Sequence, residues 1–80
     1  MKEEFKIIAN SIQKNRSILD VGCGDGELMK FIYENISKKI RGLEISKDNV
    51  QKCIQKGLTV IEGNAEMDLQ QFPSNSFDYV

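Results

Sequence analysis

Asp20-Val21-Gly22-Cys23-Gly24-Asp25-Gly26 ends an apolar run on an acid, sets glycine at three alternate positions and opens into a helical pattern. The run before it, Ser17-Ile18-Leu19-Asp20-Val21, reads as a buried strand, and from about Asp25 onward Leu28, Phe31, Ile32 and Ile36 recur at helical spacing. Strand, tight turn and helix make the first half of a βαβ unit. A chain that reverses this sharply needs backbone angles that a Cβ disfavours, and a ligand lying across the turn needs close approach to the main chain. The stretch therefore predicts a nucleotide-cofactor loop.

The charges select the cofactor. The fingerprint for pyrophosphate dinucleotides wants glycine at the first, third and sixth loop positions, here Gly22, Gly24 and Glu27, and the sixth fails. Asp20, Asp25 and Glu27 put three carboxylates where a dinucleotide would bring phosphates to a helix N-terminus, so a nicotinamide-dependent dehydrogenase is disfavoured. A ligand with an ammonium, a sulfonium and a ribose but no phosphate suits the same acidic mouth. S-adenosylmethionine is such a ligand.

Two further strands follow. Lys39-Ile40-Arg41-Gly42-Leu43-Glu44-Ile45 ends in an acid about twenty residues beyond Gly22, the spacing at which a carboxylate holds a ribose diol. Leu58-Thr59-Val60-Ile61-Glu62 runs into Gly63-Asn64-Ala65-Glu66, placing Asn64 at the same end of the sheet. Its amide can accept from the exocyclic amine of adenine and donate to a ring nitrogen, although Asn64 is also a common turn former.

These segments resemble the N-terminal half of a class I S-adenosylmethionine-dependent methyltransferase and, within that superfamily, are similar to the MetW family of methionine biosynthesis. The likeness rests on Ile18 to Leu28, on Arg41 to Ile45, on Asp48-Asn49-Val50-Gln51 with Cys53, and on Phe72-Pro73 with Asn75-Ser76-Phe77-Asp78-Tyr79-Val80. It implies a Rossmann-like fold, S-adenosylmethionine as cofactor, and association with homoserine O-acyltransferase. The cofactor-binding set it implies, together with the reading above, is Asp20, Gly22, Cys23, Gly24, Gly26, Glu44, Ile45, Asn64 and Ala65. The family usually carries Asp where this chain has Asn64. No catalytic residue is assigned, because methyl transfer is an in-line displacement that needs alignment first and a base only for a protonated acceptor. Asp78 is a candidate to orient the methionine end of the cofactor, with a solvated strand-end carboxylate as the alternative.

Composition sets bounds. Eighty residues make one domain at most, and a chain of that size buries only about 60% of its unfolded surface. Apolar content of 40% and charged content of 29% are ordinary for a globular protein. No apolar run is long enough to span a membrane and Met1-Lys2-Glu3-Glu4 is not a secretory signal, so a cytoplasmic setting is expected. A net charge of −1 argues against nucleic acid as an electrostatic partner. The compact basic group Lys38, Lys39 and Arg41 is read as cations at a helix C-terminus. Cys23 belongs to the loop and Cys53 to the inner face of a helix with Val50 and Ile54, so the two thiols are assigned separate jobs. Without histidine or paired cysteine spacing, no metal site is expected.

The expected fold is α/β: the N-terminal half of a Rossmann-like methyltransferase, a mostly parallel sheet of about four strands with flanking helices, in one partial domain over residues 1–80. Helices are expected at about Glu3 to Lys14, with Phe5, Ile8 and Ile12 on one stripe, and from a Ser46 cap to about Lys56, closed by Gly57. A helical turn over Met67 to Gln71 and a turn at Pro73-Ser74-Asn75 lead to a final strand at Phe77 to Val80. That strand stops in an apolar run, so the sequence reads as truncated. Three functions remain open: a methyltransferase whose acceptor site lies elsewhere, a non-catalytic partner of the acyltransferase, and a fragment without independent activity.

Overall fold

A computed structural model describes residues 3–73 and 76–80. Helix and strand alternate: α1 Glu3–Asn10, β1 Ile18–Val21, α2 Glu27–Asn35, β2 Ile40–Glu44, α3 Lys47–Gln55, β3 Val60–Glu62 and α4 Ala65–Asp68, followed by a 3-10 turn at Leu69–Gln71. The three strands are parallel in the order β1-β2-β3. Tyr79 adds a parallel bridge to Ile18, and the Leu19 amide donates to the Tyr79 carbonyl at 2.9 Å. Because the Ile18 amide donates instead to Lys39, toward β2, the last segment lies on the other side of β1. The expected fourth strand is present there as a bridge at Tyr79 rather than as a ladder from Phe77 to Val80.

Register explains the core. Ile18 pairs with Ile40, and both side chains join Met29, Ile32, Cys53 and Leu58 in one buried cluster. Period-two alternation sends Leu19 and Leu43 to the opposite face, where both are buried. Removing each such side chain from water contributes about 1.5–3 kcal/mol. Gly42 admits close approach of the layers: a Cβ there would lie 2.6 Å from both the Cys23 and Met29 sulfurs. Of the residues expected on the inner face of α2, Ile32 is buried while Leu28, Phe31 and Ile36 are half-buried. Met29 takes the deepest position.

Local chemistry sets the helix ends. Ser46 caps α3 by accepting from the Asn49 amide at 3.3 Å. The far end closes in a Schellman motif: Gly57, at φ +78°, donates to Ile54, and Leu58 donates to Cys53. On α3, Val50 and Cys53 face inward as expected, but Ile54 is 53% exposed, one residue and about 100° round the helix from Cys53. The first helix stops at Asn10, short of the expected Lys14; the chain then passes through Asn15 in a left-handed conformation, φ 63°, and its amide donates to Ile36. Phe5 packs on Phe31 with ring centres 6.3 Å apart and Ile12 lies against the core, whereas Ile8 of the expected stripe is exposed.

The basic group is not at a helix C-terminus. Helix α2 ends at Asn35, whose side chain donates back to the Phe31 carbonyl, and its last turn holds no cation. Lys38 instead lies over the Tyr33 ring at 5.9 Å, Lys39 precedes β2, and Arg41 is on β2. The turn expected at Pro73-Ser74-Asn75 involves positions 74 and 75, outside the described residues. Among the described residues no helix is long and apolar enough to cross a membrane.

Candidate functional site

The C-terminal ends of the three parallel strands lie along one edge of the sheet. Asp20 ends on β1, Glu44 closes β2 and Asn64 follows β3, so the residues singled out in sequence converge there. Gly22, Gly24 and Gly26 all have positive φ, at 67°, 62° and 89°. The Gly22 amide donates to the Leu43 carbonyl at 2.7 Å and the Cys23 amide to the same oxygen at 3.3 Å, which pins the start of the loop to β2.

The glycines divide into two kinds. A Cβ on Gly22 or Gly24 would meet nothing within 4 Å, so these positions border open space where a ligand can approach the backbone. A Cβ on Gly26 would strike Leu58 Cδ1 at 2.8 Å and Cys53 Sγ at 2.9 Å. Gly26 thus turns inward, seating the start of α2 against α3.

Glu44 is the centre of the loop. Its Oε1 accepts from the Gly24 amide at 2.9 Å and its Oε2 from the Ser46 amide at 2.8 Å. The side chain is only 7% exposed. The Ser46 bond, aided by that from Gly24, outweighs burial and holds its carboxyl below the usual glutamate range. Hydrogen bonds from the Asn49 side chain and the Ile45 amide add to this hold on the carboxylate. Asp20 differs: burial pushes its carboxyl up, and no hydrogen bond from the described residues reaches it. A half-buried carboxylate without a protein donor suits a cationic ligand group.

Asn64 caps α4, its Oδ1 accepting from the Glu66 amide at 2.8 Å, while its backbone N–H donates to Asp68 Oδ2 at 2.6 Å. The carbonyl oxygen that sequence assigns to adenine is therefore shared with a helix cap. Ala65 opens α4 half-buried, and Ile45 stands beside Glu44 as an exposed apolar side chain. The Gly63 amide donates to the Glu44 carbonyl at 3.0 Å, tying the β3 exit to the end of β2.

Two features escaped the sequence reading. Lys56 Nζ donates to the Asp25 carbonyl at 2.7 Å and lies 3.9 Å from Asp25 Oδ1, so one loop acid is offset by the cation that follows the last residue of α3. Cys23 and Cys53, assigned separate jobs, have sulfurs 3.9 Å apart. A cation just before the Gly57 helix stop was the one sequence hint of the first; nothing local signals the second.

Asp78 is not at this edge. Its Oδ2 accepts from the Ser17 amide at 2.8 Å and the Ser17 hydroxyl at 3.0 Å, at the start of β1 and away from the loop. It pins the last segment to the sheet at the opposite end of β1 from the glycine loop. The Ser17 amide bond, with the hydroxyl bond second, holds its carboxyl below the usual range. A groove of about 520 Å³ lined by Lys38, Lys39, Arg41, Phe72 and Phe77 also lies at this far end of the strands.

A parallel β1-β2-β3 sheet flanked by helices, with a glycine loop after its first strand, matches the N-terminal part of a Rossmann-like methyltransferase fold. Solved structures agree. A SAM-dependent methyltransferase from Archaeoglobus fulgidus superposes with a TM-score of 0.72 at 24% identity over 92% of this chain and 36% of its own. One from Thiobacillus denitrificans, in complex with S-adenosyl-L-homocysteine, gives 0.69 at 17% identity over 81% of this chain and 30% of its own. The [4+2]-cyclase SpnF gives 0.78 at 22% identity over 94% of this chain and 30% of its own, so the fold alone does not fix the reaction.

The chain belongs to the MetW family: the family described as "Methionine biosynthesis protein MetW" matches residues 2–80. A curated relative, the bifunctional methionine biosynthesis protein MetXA/MetW of Rhodopirellula baltica, is 28% identical over 81 residues, covering 91% of this chain. The chain spans 13% of that relative's length.

Proposed function

We propose that this chain is the S-adenosylmethionine-binding part of a MetW-like methyltransferase. The observation that carries the reading is the half-buried Asp20 carboxylate, without a protein donor, beside the open faces of Gly22 and Gly24. In this reading Glu44 receives the ribose hydroxyls, Asp20 faces the cationic methionine end, Ile45 and Ala65 border the adenine, and Asn64 reads its edge. Cys23 and the loop glycines shape the floor. When bound, the cofactor supplies an electrophilic methyl group; the chain's own residues hold and orient it, and none is placed as a general base. The complex of a structural neighbour with S-adenosyl-L-homocysteine supports this choice of ligand.

A second reading is a non-catalytic partner of homoserine O-acyltransferase in methionine biosynthesis, favoured by the MetXA/MetW fusion of the curated relative. The two share the cofactor site and differ in chemistry. Equilibrium dialysis with methyl-labelled S-adenosylmethionine tests the site: saturable retention is expected, and retention no greater than that of an unrelated protein refutes it. Methyl transfer by a longer protein carrying this segment, in the presence and absence of the acyltransferase, separates catalyst from partner.

A further inference from the structure

The cysteine pair is the chemistry that cofactor binding leaves unused. Cys23 sits half-buried in the glycine loop, Cys53 is fully buried on α3, and both are free thiols. Their sulfurs lie 3.9 Å apart and converge on one acceptor, the Gly24 carbonyl oxygen, at 3.9 Å from Cys23 and 3.3 Å from Cys53. Burial first, and then the neighbouring Cys53, push the Cys23 thiol up to about 12. Thiolate is therefore scarce at neutral pH, which makes reaction of the pair with an oxidant slow.

We propose that Cys23 and Cys53 form an oxidation site whose disulfide clamps the glycine loop to α3 and weakens cofactor binding there. The second half of this statement rests on the cofactor reading; the first does not. Closing the bond to its normal length of about 2.05 Å requires the sulfurs to approach by about 1.9 Å. Cys53 is fixed on a helix capped at both ends, whereas Cys23 lies between two glycines that border open space. Cys23 is therefore the partner that moves. Its shift carries Gly24 with it and strains the bond from the Gly24 amide to Glu44, the link that shapes the ligand-facing loop.

A peroxide is the oxidant. The Cys23 sulfur attacks one peroxide oxygen, the O–O bond breaks, and the second oxygen leaves as water, giving a sulfenic acid. The Cys53 sulfur then attacks the Cys23 sulfur, the S–O bond breaks, and the hydroxide leaves as water with the Cys53 proton. Two thiols have lost two electrons and two protons, and one hydrogen peroxide has become two waters.

The test treats the chain with hydrogen peroxide, alkylates the remaining thiols, and identifies peptides from the monomer band of a non-reducing gel by mass spectrometry. A Cys23–Cys53 cross-linked peptide is expected. The affinity for S-adenosylmethionine should fall by about tenfold or more and return on treatment with a dithiol. Cys53→Ala should form no such peptide and keep its affinity through peroxide treatment; the wild-type chain before and after oxidation carries the same comparison if that variant folds poorly. A cross-link that forms only in the urea-unfolded chain overturns the site, and a cross-link in the folded chain with unchanged affinity overturns the clamp. If the reduced chain binds no S-adenosylmethionine, the cofactor reading fails instead, and the cross-linked peptide still decides the thiol pair.

Discussion

Glu44 and Gly24 are joined by a 2.9 Å hydrogen bond, the carboxylate at the end of β2 accepting from an amide in the middle of the glycine loop. One acid thus ties the end of β2 to the glycine loop and, in the proposed reading, also receives the ribose hydroxyls. Glu44→Ala should leave the Gly24 and Ser46 amides without a partner, costing about 1–3 kcal/mol of stability. Affinity for S-adenosylmethionine should fall by about tenfold or more. Thermal melts and calorimetry check the two effects, and unchanged affinity removes the ribose assignment.

The same bond gives a pH dependence. Because the folded-state carboxyl of Glu44 is held low, its contribution is complete above the ordinary glutamate value and is lost as pH falls through the lowered folded value. Chemical denaturation across the acid range should show wild-type stability declining more steeply than that of Glu44→Gln.

Asp20 carries the opposite sign. Burial raises its carboxyl, so ionisation opposes folding, and the penalty is fully present once pH exceeds the raised value. Asp20→Asn should raise the melting temperature of the free chain at neutral pH while weakening S-adenosylmethionine binding by about tenfold. A variant that loses stability and keeps affinity would show that the acid serves the fold.

The loop glycines should separate by direction. Gly26→Ala places a methyl 2.8 Å from Leu58 Cδ1 and 2.9 Å from Cys53 Sγ at φ 89°, so backbone strain and overpacking should together cost about 2–4 kcal/mol. Gly24→Ala meets open space and should cost about 1–2 kcal/mol through its positive φ alone. Its larger effect should be on ligand affinity, and urea titrations beside binding isotherms tell the two apart.

Asp78→Ala removes the two bonds that its carboxylate accepts from Ser17 before β1 and leaves those from its own backbone amide. The melting temperature should fall, with affinity for S-adenosylmethionine unchanged within about twofold. A large loss of affinity at unchanged stability would return Asp78 to the cofactor site.

Sequence made the sheet readable because its signals are local. The Ile18-Leu19 run, the glycines, the Ser46 cap and the Gly57 stop each act within a few residues. The expected positions of Asp20, Glu44 and Asn64 follow from parallel strands, which bring their C-terminal ends to one edge. What escaped depends on distance in the chain. Cys23 meets Cys53 only because the loop folds over α3, and Lys56 reaches Asp25 across the same junction. Of the two readings of Asp78, the strand-end carboxylate is the one that agrees with its partner, Ser17, which precedes β1 at the opposite end from the glycine loop. The basic group was misread because α2 ends at Asn35, before the cations begin.

The most direct test is calorimetric titration of the reduced chain with S-adenosylmethionine and with NAD in the same low-salt buffer. Saturable binding of the sulfonium compound and none of the dinucleotide is the predicted result. NAD binding as tightly as S-adenosylmethionine, or in its place, would contradict the claim that the acidic edge around Asp20 and Glu44 selects a cationic nucleoside.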